Sequence, residues 1–199
     1  QESLGAESFF DQTAQLTRFL SDTNERGGTT YFFGNGASAS ISSTLAFKTL
    51  AEHDMAALAV TDHNLLLGLS RKKSFGEWMA VASRSLLKSD DSIVLTSSSG
   101  ESPNVVGLSA WAREEGIPVF SLTGFEQSNR LRNLSSDGIW VNSLNYNVVE
   151  TAHLLLGLIA VENLHRRGDD ARRNFDLCLS QMISLDWAAI VEPLVGFAE

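Results

Sequence analysis

One cysteine, Cys178, in 199 residues excludes an internal disulfide and leaves no cysteine cluster for a metal centre, which fits a reducing compartment, and the cytoplasm is the expected location. Basic residues are also scarce. Fifteen Lys and Arg stand against 24 Asp and Glu, for a net charge of −9 and a pI near 4.9, so nucleic acid and anionic membrane are excluded as main partners by repulsion. No basic stretch followed by an apolar core opens the chain, and the longest apolar run, Leu154 to Val161, falls well short of the ~20 residues that span a bilayer. Internal repeats and low-complexity segments are missing too. The 43% hydrophobic and 20% charged composition is that of a globular domain with a sizeable core.

Against these absences stands a regular alternation. Thr29 to Phe33 (TTYFF), Ala56 to Val60 (AALAV), Ser92 to Thr96 (SIVLT), Gly116 to Leu122 and Gly138 to Val141 read as short buried strands. Helical segments are expected at Ala39 to Glu52, Phe75 to Leu87, Asn104 to Glu115 and Val148 to Leu164. Short apolar strands separated by helices of this length predict an α/β fold, a doubly wound parallel sheet of about five strands flanked by helices. An amphipathic helix over Ser8 to Arg26 leads in. Beyond the last core helix, a charged break at Arg166 to Arg173 precedes a helix expected at Asn174 to Met182, and an apolar segment at 183–197 carries Trp187. The expected division is a main domain over 1–165 and a helical extension over 166–199, packed on the same domain or on a sister subunit.

Two loops interrupt the alternation with small and hydroxylated residues. Gly34-Asn35-Gly36-Ala37-Ser38 follows the first strand, and Ser97-Ser98-Ser99-Gly100-Glu101-Ser102 follows the third. Each leads into a helix. At such junctions backbone N–H groups and a helix N-terminus face an anion, small residues let the chain approach it, and hydroxyls donate to it. The pair predicts a phosphate cradle. Ser102 also stands where an N-cap belongs, ahead of Pro103 and Asn104.

Read together, YFFGNGASAS, VLTSSSGESPNVVGLSAWAREEGIPVFSLTG and VETAHLLLGLIAVENL resemble the sugar isomerase (SIS) domain, most closely its phosphoheptose isomerase branch. The likeness runs from about Ser8 to Leu164. It implies that Ser38, Ser97, Ser99 and Ser102 hold a sugar's phosphate, with Asn35, Gly36, Ser98 and Asp62 near the rest of the ligand. It also implies a homodimer or homotetramer. The phosphoheptose isomerase branch holds zinc through a histidine and a glutamate on the helix after the first loop and a histidine late in the last core helix. Those positions here are Thr44, Lys48 and Leu158, none of which is a zinc ligand, so no metal and no cofactor is expected.

Isomerisation of an aldose to a ketose moves a proton between neighbouring carbons and needs a base. Glu101 follows the arabinose 5-phosphate isomerase pattern, in which the loop glutamate is an acid–base candidate. Glu150 and His153, three apart on one helix face, are a candidate base and its orienting partner. Lys48 is a candidate counter-charge for phosphate. The ordinary readings of these residues are a helix-capping glutamate, a helix-start glutamate, a packed core histidine and a solvated lysine. The function expected is binding of a phosphorylated sugar, with isomerisation that needs no zinc, or alternatively a sensing or assembly role without catalysis.

Overall fold

The computed structural model describes residues 6–184, so the apolar segment expected at 183–197 lies, from residue 185 onward, outside them. The chain divides into two compact units, one ending at His165 and one beginning at Arg166. In the first unit, β1 (Thr30–Gly34), β2 (Ala57–Ala59), β3 (Ser92–Ser97), β4 (Val119–Thr123) and β5 (Asp137–Trp140) form one parallel sheet in the order β2-β1-β3-β4-β5. Its helices are α1 (Ala6–Glu25), α2 (Ala37–His53), α3 (His63–Lys72), α4 (Trp78–Leu86), α5 (Pro103–Glu114), α6 (Arg130–Leu134) and α7 (Tyr146–Glu162).

Parallel strands joined by helices are covered on both faces, which is why their sequences are apolar throughout rather than alternating. Every residue of β3 and β4 is buried. Side chains leave a strand on alternate faces. Phe33, Ile93, Leu95 and Val119 accordingly pack with Trp78, Met79, Val105 and Leu108 of α4 and α5. On the opposite face Phe120 meets Phe19 of α1 with ring centroids 5.4 Å apart, and α1 is tied to α7 by the Thr17 hydroxyl, which donates to the Ala160 carbonyl at 2.9 Å. Helix α7 continues in a 3₁₀ turn to His165, and the 20-residue stretch from Tyr146 is long and apolar enough by length and composition to cross a membrane. Half of that stretch is buried inside the fold, as befits a core helix.

Two helices, α3 and the short α6, have no counterpart among the expected elements. Helix α3 begins where the Asp62 carboxylate caps it by accepting the Leu65 N–H at 2.8 Å, and none of its residues is fully buried. In the second unit, α8 (Gly168–Ile183) starts six residues before the expected Asn174. The charged stretch read as a break is its first turns, with Asp169 and Asp170 at the N-terminus, where the helix dipole favours them, and with Arg172 paired to Asp176 one turn on.

The amino edge of the sheet is fastened by Asp91. Its carboxylate accepts the N–H of Thr29 and that of Lys88, both at 2.7 Å, and the residue is 5% exposed. Asp91→Ala removes the acceptor of both N–H groups in a turn that is only partly buried, so urea denaturation should report a loss of about 1–2 kcal/mol.

Candidate functional site

The site is set by where the sheet changes direction. Strand β1 leads through α2 to β2 on one side, whereas β3 leads through α5 to β4 on the other. Gly34 pairs with Thr96, so the loops that follow β1 and β3 leave the carboxyl edge side by side and then diverge. A crevice at such a switch point is where open α/β sheets take their ligands.

Both helices that start there begin without a side-chain cap. Gly36 occupies the N-cap of α2 with φ +52°, and Ser102 occupies that of α5 without a cap hydrogen bond. Their first-turn N–H groups are therefore not consumed by capping side chains. Ser38, Ser97 and Ser98 are each at most 5% exposed, and the buried Ser98 hydroxyl has no hydrogen-bond partner among the described residues. Ser99 accepts the Glu101 N–H at 3.2 Å. The structure thus brings Gly36, Ser38, Ser97, Ser98, Ser99 and Ser102 to one edge of the fold.

The amides of Asn35 and Asn104 bond each other in both directions, at 3.0 and 2.8 Å, and bridge the loop after β1 to the start of α5. Asn35, expected beside the ligand, thereby spends part of its capacity in holding the crevice together. Asn104 is fully buried. Asp62 lies at the same edge, exposed, at the end of β2.

A third segment, after β4, buttresses the serine loop. The Gly124 N–H donates to the Ser98 carbonyl at 2.9 Å and the Leu131 N–H to the Gly100 carbonyl at 3.0 Å. Asn129, 2% exposed, caps α6 and donates to the carbonyls of Gly124 and Glu126. Glu101 is drawn onto this segment. One carboxylate oxygen accepts the Arg130 N–H at 2.8 Å, and the other accepts its Nε at 2.5 Å. These bonds hold the Glu101 carboxyl below the usual glutamate range. Asn104, Asn129 and Arg130 are the site residues that the sequence reading missed. The partners of Asn104 and Arg130 lie 69 and 29 positions away, and Asn129, which bonds only close neighbours in sequence, offered the local signal of an asparagine ahead of Arg130 to Leu134, an N-cap pattern.

His153 is wholly buried, and its Nε2 lies 3.0 Å from the Thr123 carbonyl. A carbonyl only accepts, so Nε2 carries the proton and Nδ1 is a bare lone pair, itself buried without a partner among the described residues. Burial pushes the imidazole down to about 4, which keeps it neutral at physiological pH. Glu150 sits half-buried one turn earlier on α7, and among the described residues no hydrogen bond joins it to His153.

The zinc arrangement implied by the resemblance does not fit these residues. The Thr44 hydroxyl donates to the Ser40 carbonyl at 3.0 Å, the Lys48 ammonium is paired to Glu52 at 2.6 Å, and Leu158 has no donor atom. Among the described residues no three His, Cys, Asp or Glu side chains are grouped to hold a metal.

The SIS domain family model matches residues 6–124, and the chain belongs to that family. A phosphoheptose isomerase of Nitratidesulfovibrio vulgaris is 30% identical over 128 residues, which are 59% of this chain and 62% of that protein, so the match spans less than two thirds of the relative. A phosphoheptose isomerase from Francisella tularensis shares the fold with a TM-score of 0.73 at 22% identity, over 79% of this chain and 86% of that one. The Vibrio vulnificus NanR protein, solved in complex with ManNAc-6P, shares it with a TM-score of 0.60 at 21% identity, over 92% of this chain and 62% of that one.

Proposed function

We propose that the protein binds a phosphorylated sugar, with the phosphoryl group between the loops that follow β1 and β3. The observation that carries this reading is the meeting of two uncapped helix N-termini with the unpartnered, buried Ser98 hydroxyl at the switch point of the sheet. A phosphate dianion needs several N–H and O–H donors at once, and this edge gathers them. Membership of the SIS family and the ManNAc-6P bound by NanR support the same ligand class.

Binding without isomerisation is the reading we favour, as in a sensor or an assembly protein. Both oxygens of Glu101 are engaged by Arg130, and the Nε2 proton of His153 is committed to a backbone carbonyl. Neither is disposed to shuttle a proton between sugar carbons. Glu150 is the remaining base candidate. At a hundredfold excess over Kd, a bound sugar phosphate should raise the melting temperature by about 5–10 °C, with no change in the sugar by NMR. Turnover of sedoheptulose 7-phosphate, or of a pentose or hexose phosphate, that is abolished in Glu150→Gln with binding intact would establish the isomerase instead.

A homodimer or homotetramer in the cytoplasm, with residues 166–199 as an appended helical segment, completes the proposal. Exposed Phe47 and Leu50 on α2, and Leu144, Tyr146 and Val148 at the head of α7, supply apolar surface for self-association. Sedimentation that returns only monomer at micromolar concentration would contradict it.

A further inference from the structure

The phosphate cradle, as read so far, is built from neutral donors in a chain of net charge −9. A dianion entering such a site meets an unfavourable field unless a cation stands nearby. Lys48, the cation suggested by the sequence, is occupied by Glu52.

Arg130 is placed differently. Its guanidinium lies on the serine loop itself, where Nη2 donates to the Glu101 carbonyl at 3.2 Å and Nε to the Glu101 carboxylate at 2.5 Å. Its Nη1 makes no hydrogen bond among the described residues, and 61% of the side chain is open to solvent. Glu101, between Gly100 and Ser102, occupies the loop that supplies half of the cradle. Gly100 beside it has φ +64°, and a Cβ there would stand 2.0 Å from the Asn129 amide oxygen, so the loop is seated on the segment that carries Arg130.

We propose that Arg130 is the cation of the phosphate site, and that Glu101 is the tether that holds it at the rim. This rests on the sugar-phosphate reading of the cradle. In the structure the carboxylate and guanidinium neutralise each other. When a phosphate dianion arrives, the guanidinium turns its unused Nη1 edge toward it while Nη2 stays on the loop carbonyl. Glu101 then acts in two opposed ways, since it positions the cation and its own charge repels the ligand. Removing that charge while keeping an acceptor for the Arg130 N–H therefore strengthens binding, whereas loss of the guanidinium leaves a bare carboxylate beside the dianion.

The test uses the full chain and calorimetric titration at low salt with sedoheptulose 7-phosphate and with inorganic phosphate. Arg130→Ala should weaken both by about tenfold, Arg130→Lys should recover part of the loss, and Glu101→Gln should tighten both by about threefold. These differences should shrink at high salt because the groups are exposed. All three substitutions are on the surface and should leave the circular dichroism unchanged. If wild-type protein binds both probes and Arg130→Ala binds them equally well, the inference is overturned while the function stands. If Glu101→Gln leaves affinity unchanged but abolishes turnover, Glu101 is a proton carrier and the tether role is wrong. If the wild-type protein binds neither probe, the function itself falls, and this inference with it.

Discussion

Gly34→Ala should destabilise the protein by about 2–4 kcal/mol and abolish sugar-phosphate binding with it. A Cβ at this last residue of β1 would stand 2.5 Å from the carbonyl carbon of Ser38 and 2.6 Å from its oxygen. The obstacle is backbone, which has no rotamer to yield, so the strand end and the first turn of α2 must separate. Since that turn forms one wall of the crevice, stability and binding should fall together. Gly68→Ala in α3 is the matched control. No atom lies within 4 Å of a Cβ there, and the helix propensity of alanine should make it neutral or stabilising by up to about 1 kcal/mol. Urea midpoints for the two variants, with calorimetry on the same samples, check both expectations.

The second large effect is acid lability centred on His153. The folded protein holds this imidazole neutral down to about pH 4, while an ordinary histidine titrates at 6.5. Between those values the unfolded chain binds more protons than the native one, so stability rises with pH across the interval. The contribution is fully present above about pH 6.5 and is lost as pH falls through about 4, to a total on the order of 3 kcal/mol. Carboxylates titrate in the same range, so the informative quantity is a difference between proteins. His153→Gln keeps an N–H donor for the Thr123 carbonyl but does not titrate. It should be less stable than wild type at pH 7.5 and lose less stability on acidification to pH 4.5. Parallel slopes for the two proteins would mean that His153 does not carry the effect.

Most of the sheet was legible because parallel strands covered on both faces write themselves as short, wholly apolar runs. SIVLT and VFSL need no partner to be recognised; the first gained one residue, and the strand expected from Gly116 begins at Val119. The two loops were legible for a related reason, since glycine and serine are what a strand-to-helix turn requires wherever backbone must meet an anion. Helix α3 was not. His-Asn-Leu-Leu-Leu-Gly-Leu crowds four leucines around a mid-helix glycine, which hides the short stripe of Leu66 and Leu69 that packs on the core, while Leu65 and Leu67 are exposed. Only the capping Asp62 marked its start. The charged stretch that opens α8 was misread because Gly168 and a run of charges resemble a linker, although acidic residues at the start and arginines further along are a helix signature.

At the site, residue types were readable and their engagements were not. Glu101 and Arg130 are 29 positions apart, and nothing local says that the loop after β4 folds back on the serine loop. Asn35 reads as a ligand contact until Asn104, 69 positions on, takes up its amide. His153 reads equally as a catalytic partner or a packed core residue. The parallel register that brings the end of β4 under α7 commits its Nε2 proton to Thr123.

The central claim is that the crevice between the β1 and β3 loops holds a phosphoryl group, and a crystal structure of the protein soaked with sedoheptulose 7-phosphate tests it most directly. The account predicts tetrahedral density between Gly36 and the 97–102 loop, within hydrogen-bond reach of the Ser98 hydroxyl. Density instead in the polar cavity of about 480 Å³ lined by Gln12, Arg132 and Asp137, or an empty crevice at millimolar ligand, would contradict it.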